Sequence, residues 1–322
     1  MSKFYIGVDV GGTNLKAAVL DETFATVAEK RVLTRAHLGP DAVLQNILEI
    51  ITALLSEQNL TTSNIRCVGI AVPGIADSHT GVARFCPNLP GWHDIPVAPY
   101  IKERLGIPVF INNDVRAHLY GEWALGAARG KQNVVLAALG TGLGAGVMID
   151  GHILYGATMS AGEIGHIKMV RGGRPCKCGS SGCLGRYVSA VGLMRTLREK
   201  LESGRESVLR DWTGGDLDRM TGEMIAQAFD AGDAVAMETF RTTGEMLGFG
   251  LCSVINLYNP ERIVIGGGMA AAGERLLGRT REIVHRHALK IPGAVCDIVT
   301  AQLGDAAGMI GVAVFASRIK AP

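Results

Sequence analysis

Two stretches of this chain repeat one layout, and the repeat limits the folds open to it. In the first, Phe4–Val10 reads as a strand, Gly11-Gly12-Thr13-Asn14 as a tight turn and Leu15–Leu20 as the returning strand. In the second, Asn133–Leu139 is strand-like, the run from Gly140 through Thr141 and Gly142 to Gly146 turns, and Val147–Asp150 leads away. Adjacent glycines admit backbone geometry closed to other residues and let amides approach a ligand closely. Successive amides in such a turn form an anion nest, to which the Thr13 hydroxyl adds a donor. Asp9, at the strand end, is placed to hold a divalent cation through water. Asp and Gly-Gly are also ordinary hairpin chemistry, so one copy alone is ambiguous. Two copies predict a duplicated α/β architecture whose two lobes face a shared nucleotide.

A third glycine cluster, Gly266-Gly267-Gly268, stands between the strand Arg262–Ile265 and a helical stretch read as Ala270–Leu289. A flat adenine-ribose group fits such backbone, although a tight strand-to-helix turn uses the same residues. No Gly-x-x-x-x-Gly-Lys-Ser/Thr or Gly-x-Gly-x-x-Gly pattern is present, which disfavours a Walker loop and a dinucleotide fold. Strands are expected near 3–10, 15–21, 26–34, 66–72, 108–112, 262–266 and 295–300. A helix with Val43, Leu44, Ile47, Ile50, Ile51, Leu54 and Leu55 on one face follows the third strand. A helical region occupies 189–258, including Ala234–Tyr258, and a last helix about 305–318 closes the chain. The expected lobes are 1–118 with the C-terminal segment about 303–322, and 119–302.

Between these elements lie Glu163-Ile-Gly-His166 and Cys176-Lys-Cys178, with Cys183 five residues on. One histidine and three thiolates form a closed tetrahedral zinc set, which organises a loop and leaves no open position for chemistry. The loop, 163–187, would hold Glu163 one turn from a metal-fixed imidazole, a pairing suited to reading hydroxyl groups. Cys-x-Cys with a third Cys amid glycines is rarely a core pattern. The other four of the seven cysteines lack disulfide spacing, which fits a reducing compartment and a cytoplasmic protein. A formal charge of +2 with dispersed Lys and Arg gives no electrostatic case for nucleic acid or membrane.

The strand Pro108–Ile111 delivers Asn112, Asn113 and Asp114 to its end, where ligands bind in open α/β sheets. Phosphoryl transfer to an alcohol needs a base, an aligned phosphate and a metal ion. Asp114 fits the base, with Asn113 holding a neighbouring hydroxyl. Asp114 also reads as an N-cap of a helix Val115–Trp123. Asp77, Asp94 and Asp305 read as turn or capping residues.

Together with Val72-Pro73-Gly74 and Pro87-Asn88-Leu89-Pro90-Gly91-Trp92, these motifs resemble the ROK family of bacterial sugar kinases and repressors, most closely its ATP-dependent glucokinases. The resemblance runs from residue 4 to about 317. It implies a two-lobed, actin-like, hexokinase-type (ribonuclease H-like) α/β fold with a structural zinc loop, the sugar in the cleft and Mg-ATP above it. By the family pattern Asp114 takes the proton of the attacking 6-hydroxyl. Asn113, Glu163 and His166 contact sugar hydroxyls, and Gly74 and Asn88 line the pocket. Dimers or tetramers are the family habit, and repressor members carry a winged helix ahead of the first strand, where this sequence has three residues. One departure stands out. The family usually has Glu two residues after the last cysteine, and here that position is Gly185, followed by Arg186. Weaker glucose binding, tolerance of another group, or replacement of the carboxylate from elsewhere each follows from it. N-acetylmannosamine, N-acetylglucosamine, mannose, fructose and allose stay open beside glucose, as does a non-catalytic sugar-binding regulator.

Overall fold

A computed structural model of the chain describes residues 3–319. In chain order the elements begin β1 (Phe4–Val10), β2 (Asn14–Leu20), β3 (Thr26–Leu33), α1 (Pro40–Glu57) and β4 (Ile65–Val72). Three short strands follow, β5 (Ile75–Asp77), β6 (Val82–Phe85) and β7 (His93–Ile95), then α2 (Val97–Leu105), β8 (Val109–Asn113) and α3 (Asp114–Ala124). Next come β9 (Val134–Leu139), β10 (Leu143–Ile149), β11 (His152–Ile153), α4 (Gly185–Val188), α5 (Ala190–Glu202), α6 (Val208–Trp212), α7 (Gly222–Asp230) and α8 (Ala234–Tyr258). The chain ends with β12 (Arg262–Gly266), α9 (Glu274–His287), α10 (Lys290–Val295), β13 (Asp297–Thr300) and α11 (Ala307–Arg318).

The expected duplication is visible in the sheets. One has the order β3-β2-β1-β4-β8 and the other β11-β10-β9-β12-β13. In each, a central strand pairs antiparallel with the strand after its glycine turn and parallel with a later strand (β1 with β2 and β4, β9 with β10 and β12). Val43, Leu44, Ile47, Ile50, Ile51, Leu54 and Leu55 of α1 are all buried, as the helical spacing predicted. At about 1.5–3 kcal/mol for each fully buried large aliphatic side chain, this face holds α1 in the first core. Close backbone contact seats α11 in the same unit. A Cβ on Gly7 of β1 would stand 1.9 Å from the Met309 carbonyl oxygen, and one on Gly69 of β4 2.1 Å from that of Val312.

The chain forms two compact units, one of residues to Gly130 with Ile153–Ala161 and Gln302 onward, the other Lys131–His152 with Gly162–Ala301. The boundary therefore falls later than the expected 118/119, and 153–161 returns to the first unit. Helix α3 runs unbroken to Ala124, and its buried Glu122 accepts N–H groups of Ala127, Gln302 and Leu303 at 2.8–2.9 Å. Tyr155 is held by Asn112, whose Nδ2 donates to its hydroxyl at 3.0 Å, and Arg116 donates to the Ala161 carbonyl. Residues 1–2 and 320–322 of the expected first lobe lie outside the described residues. The helix expected over Ala270–Leu289 is a 3₁₀ turn, Gly268–Ala272, then a break at Gly273 (φ 54°), then α9. The small sheet β5-β6-β7 was not foreseen.

Candidate active site and metal loop

In the first unit, Gly11 closes the β1–β2 turn by donating to the Asn14 carbonyl at 2.9 Å, and a Cβ at Gly11 would stand 2.9 Å from that oxygen. Thr34 ties the turn from behind: its hydroxyl donates to the Gly11 carbonyl at 2.6 Å and its amide to the Thr13 carbonyl at 2.8 Å. Asn88 is exposed on a loop anchored by buried Leu89 and Trp92, and its carbonyl oxygen lies 3.4 Å from where a Gly12 Cβ would be.

The N-cap of α3 is Asn113, not Asp114: Asn113 Oδ1 accepts the Arg116 amide at 3.1 Å. Its Nδ2 donates to the Gly74 carbonyl at 2.9 Å and to Asp114 Oδ1 at 2.8 Å. Gly74 has φ 84°, and a Cβ there would strike the Phe85 carbonyl at 2.2 Å, so this glycine fixes the strand end that holds Asn113. Asp114 Oδ1 also accepts the Val115 amide at 2.8 Å. Both fixed bonds thus fall on one oxygen, and Oδ2 is left for a proton. Dense packing around the carboxyl raises its pKa from 3.8 to about 6; the nearby Asp9 charge adds to the rise and His118 opposes it. A carboxylate in that range is suited to general-base work near neutrality.

Sequence reasoning missed His118. It lies one helical turn beyond Asp114, with Nε2 3.8 Å from Asp9 Oδ2. Burial opposes its charge, but the carboxylates of Asp9 and then Asp114 outweigh this and raise its pKa. Both Asp9 and His118 rest on Gly308 of α11, where a Cβ would meet Asp9 Oδ2 at 2.5 Å and His118 Nε2 at 3.0 Å. The one-turn spacing from Asp114 was the only local signal. Asp77 caps a turn through the His79 and Thr80 amides and Asp305 lies in the first turn of a 3₁₀ segment, Gly304–Ala306, as expected; Asp94 is in β7 and, like Asp77, pairs with Arg84, and Asp305 pairs with Lys16 and Arg31.

In the second unit, the glycines separate by what the fold requires of them. Gly267, at φ 77°, would place a Cβ 2.4 Å from the Leu139 carbonyl oxygen, so it is structural. Gly140, Gly142 and Gly268 have no such constraint: a Cβ on any of them would meet nothing within 4 Å, and none has positive φ. At Gly266 a Cβ would make only an ordinary 3.7 Å contact with Ala301. The β9–β10 turn around Thr141 closes by a bond from the Gly140 amide to the Gly142 carbonyl at 3.0 Å, and the Gly140 carbonyl accepts the Ala190 amide at 2.9 Å. Open faces on these glycines suit backbone approach by a ligand.

Glu163 precedes a single 3₁₀ turn, Ile164–His166, and its carboxylate stands 3.9 Å from His166 Nε2. The other ring nitrogen, Nδ1, faces Cys176 Sγ at 3.7 Å, and Cys178 and Cys183 Sγ are also 3.7 Å apart. All four ligand atoms lie within 4.8 Å of one another. Zinc–sulfur and zinc–nitrogen bonds of about 2.3 and 2.0–2.1 Å in a tetrahedron set ligand atoms roughly 3.5–3.8 Å apart, so the set is compatible with a zinc site. Backbone bonds carry the cluster to the Glu163 turn: Leu184 donates to Ile167 at 2.8 Å and Met169 to Gly182 at 2.8 Å. Gly185 opens α4, where a Cβ would stand 3.3 Å from the Gly165 carbonyl oxygen and 3.5 Å from Leu143 Cβ.

Two hairpin sheets of one topology, a strand-end Asn-Asp pair and a His-Cys₃ loop beside Glu163 define an actin-like, hexokinase-type α/β protein. The chain matches the ROK family over residues 5–319 and belongs to it. It is 35% identical to a glucokinase of Halalkalibacterium halodurans over 96% of this chain and 93% of that protein. A Thermotoga maritima glucokinase is 32% identical over 96% and 95%. The crystal structure of a ROK family glucokinase from Streptomyces griseus in complex with glucose and AMPPNP is 31% identical, with a TM-score of 0.81 over 98% of this chain and 100% of that one.

Proposed function

We propose that this protein is an ATP-dependent hexose kinase that transfers the γ-phosphoryl group to the 6-hydroxyl of glucose. The state of Asp114 carries the reading: one carboxylate oxygen tied by Asn113 and Val115, the other free, and a pKa lifted to about 6. Asp114 Oδ2 receives the hydroxyl proton as the sugar oxygen attacks phosphorus, and ADP leaves. Asn113, Glu163 and His166 bind sugar hydroxyls, and Asn88 and Gly74 complete that lining. Gly11, Gly12, Thr13 and Asn14, with Gly140, Thr141 and Gly142, take the phosphates, and Gly266, Gly267 and Gly268 take adenine and ribose. Mg²⁺ is held near Asp9, a carboxylate only 16% exposed, and when bound neutralises charge on the phosphates. Zn²⁺ is held by His166, Cys176, Cys178 and Cys183 and fixes the loop. The sugar kinases named above support the activity. We further propose a cytoplasmic homodimer or homotetramer with no nucleic-acid or membrane partner; among the described residues no helix is long and apolar enough to cross a membrane.

The test is coupled ADP release with Mg-ATP over a panel of hexoses and N-acetylhexosamines. Turnover on glucose supports the proposal, turnover on another sugar alone moves the substrate, and sugar binding without turnover points to a regulator. Because the fold leaves Gly142 an open face, Gly142→Leu is expected to keep the melting temperature and to raise the KM for ATP about tenfold or more, as lost backbone contacts to a charged ligand would. An unchanged KM would remove that turn from the nucleotide site. Gly185→Glu is expected to lower the KM for glucose about tenfold, the scale of one charge-assisted hydrogen bond, while leaving the KM for ATP alone. A higher glucose KM in that variant would show that the open position serves a different sugar.

A further inference from the structure

A cavity of about 520 Å³ lies in the second unit, with Arg174, Tyr187, Thr196, Glu199, Lys200 and Thr243 among the residues that line it. None of these residues has a part in the proposed transfer. Arg174 is 9% exposed and lies over the Tyr187 ring, and it donates to the Arg186 and Gly192 carbonyls, Thr196 Oγ1 and Glu199. Lys200 and Arg205 share one carboxylate, that of Glu238. Glu199 also pairs with Arg195, so four cations meet two carboxylates, Glu199 and Glu238, and two positive charges are left over. Thr243, 1% exposed on α8, has a hydroxyl with no hydrogen-bond partner. Thr196 in the same wall and Thr239 one turn back on α8 bond the carbonyl four residues back, at 3.0 and 2.7 Å, so the orphan is peculiar to Thr243. A buried, unsatisfied hydroxyl is costly, and an acceptor reaching Thr243 through the cavity wall would relieve it.

We propose that this cavity is an effector site for a small phosphate monoester bearing hydroxyl groups. The surplus cationic charge suits the phosphate, the threonine and Ser203 hydroxyls suit a polyol, and Val170, Met246 and the Tyr187 ring supply apolar wall. The site reaches the metal loop through the backbone. The Gly182 amide donates to the Arg174 carbonyl at 2.9 Å and the Val170 amide to the Gly182 carbonyl at 3.3 Å, one residue from Cys183. Occupancy therefore acts on the loop that carries Glu163 and His166, and changes the sugar KM. This regulatory half rests on the kinase reading, whereas the binding half does not.

The experiment is calorimetric titration of the zinc-loaded protein with glucose 6-phosphate, and separately with inorganic phosphate and with glucose. It is repeated on Thr243→Val and Lys200→Gln, each first matched to wild type by melting temperature. Thr243→Val is nearly isosteric and removes an unsatisfied group, so it is expected to fold at least as well as wild type. The expected result is a glucose 6-phosphate component that both variants weaken about tenfold or more and that inorganic phosphate reproduces only weakly. Glucose 6-phosphate should also shift the sugar KM of wild type by more than that of the variants, in which only competition by the product at the sugar site remains. Titrations identical in wild type and both variants, or the absence of heat in wild type, would overturn the site. Equal affinity for inorganic phosphate would overturn the polyol part. Loss of turnover with the binding component intact would refute the kinase reading and leave the site standing.

Discussion

Asp114→Asn is expected to lower kcat by roughly 10²–10⁴, the range that a positioned general base contributes, while sugar binding changes little. The asparagine keeps an Oδ1 that accepts from Val115 and Asn113, the two bonds that orient the side chain now. Only the proton acceptor is lost. A calorimetric titration with sugar beside the coupled assay separates the outcomes: intact binding with lost turnover is the prediction, and undiminished turnover removes the base. In the wild type, kcat/KM should fall as the pH drops through about 6, where Asp114 takes up its proton.

The same substitution should stabilise the protein, and the pH dependence of that gain is fixed in sign. The folded state raises the Asp114 pKa from 3.8 to about 6, so it binds the proton more tightly than the unfolded chain does. The stability contributed by the protonated form is complete below about 3.8 and is lost as the pH rises through about 6. Two pKa units correspond to about 3 kcal/mol, and the partly open edge of the carboxyl reduces this to about 2 kcal/mol. A neutral carboxamide in its place carries no such cost. The melting temperature of Asp114→Asn should exceed that of wild type by a few degrees at pH 8 and match it near pH 4, measured by scanning calorimetry. A gain that does not depend on pH would mean that the carboxyl is not held in a charge-disfavouring site.

Much of this arrangement was legible because its signals are local. The strand-turn-strand hairpins at Gly11 and Gly140, the buried stripe of α1 and the helix Ala234–Tyr258 each rest on periodicity or turn chemistry within one segment. The His-Cys₃ set needed only spacing. What escaped depends on chain segments distant in sequence. The strands Ile75–Asp77, Val82–Phe85 and His93–Ile95 are too short to show a period of two. His118 gains its meaning from Asp9, which β1 and the glycine face of α11 bring beside it. Asn113 takes the cap because Gly74, at the end of another strand, orients its amide. No reading of glycines in a row separates Gly267, which the packing demands, from Gly268, which it does not.

The metal loop is where a single atom should matter most. Cys183→Ser, or exhaustive chelation of the wild type, is expected to abolish sugar binding. Cys183 is fully buried, and its neighbours Gly182 and Leu184 bond to Met169 and Ile167 on the segment leaving His166. A structural zinc contributes roughly 10–16 kcal/mol in small domains, far more than the few backbone bonds that would otherwise hold residues 168–187. Without the metal, the imidazole of His166 and the carboxylate of Glu163 lose their common frame. Nucleotide binding should survive better than sugar binding, since the Gly140 turn is closed by its own backbone bond and by Ala190. Metal analysis of protein purified without chelator should give one zinc per chain, and less than about half an equivalent would count against the loop. Sugar titration of chelated protein, before and after zinc is restored, completes the test. Sugar affinity that persists through metal loss would mean the turn at Glu163 is held by packing against Leu143, where Gly165 lies too close to admit a side chain.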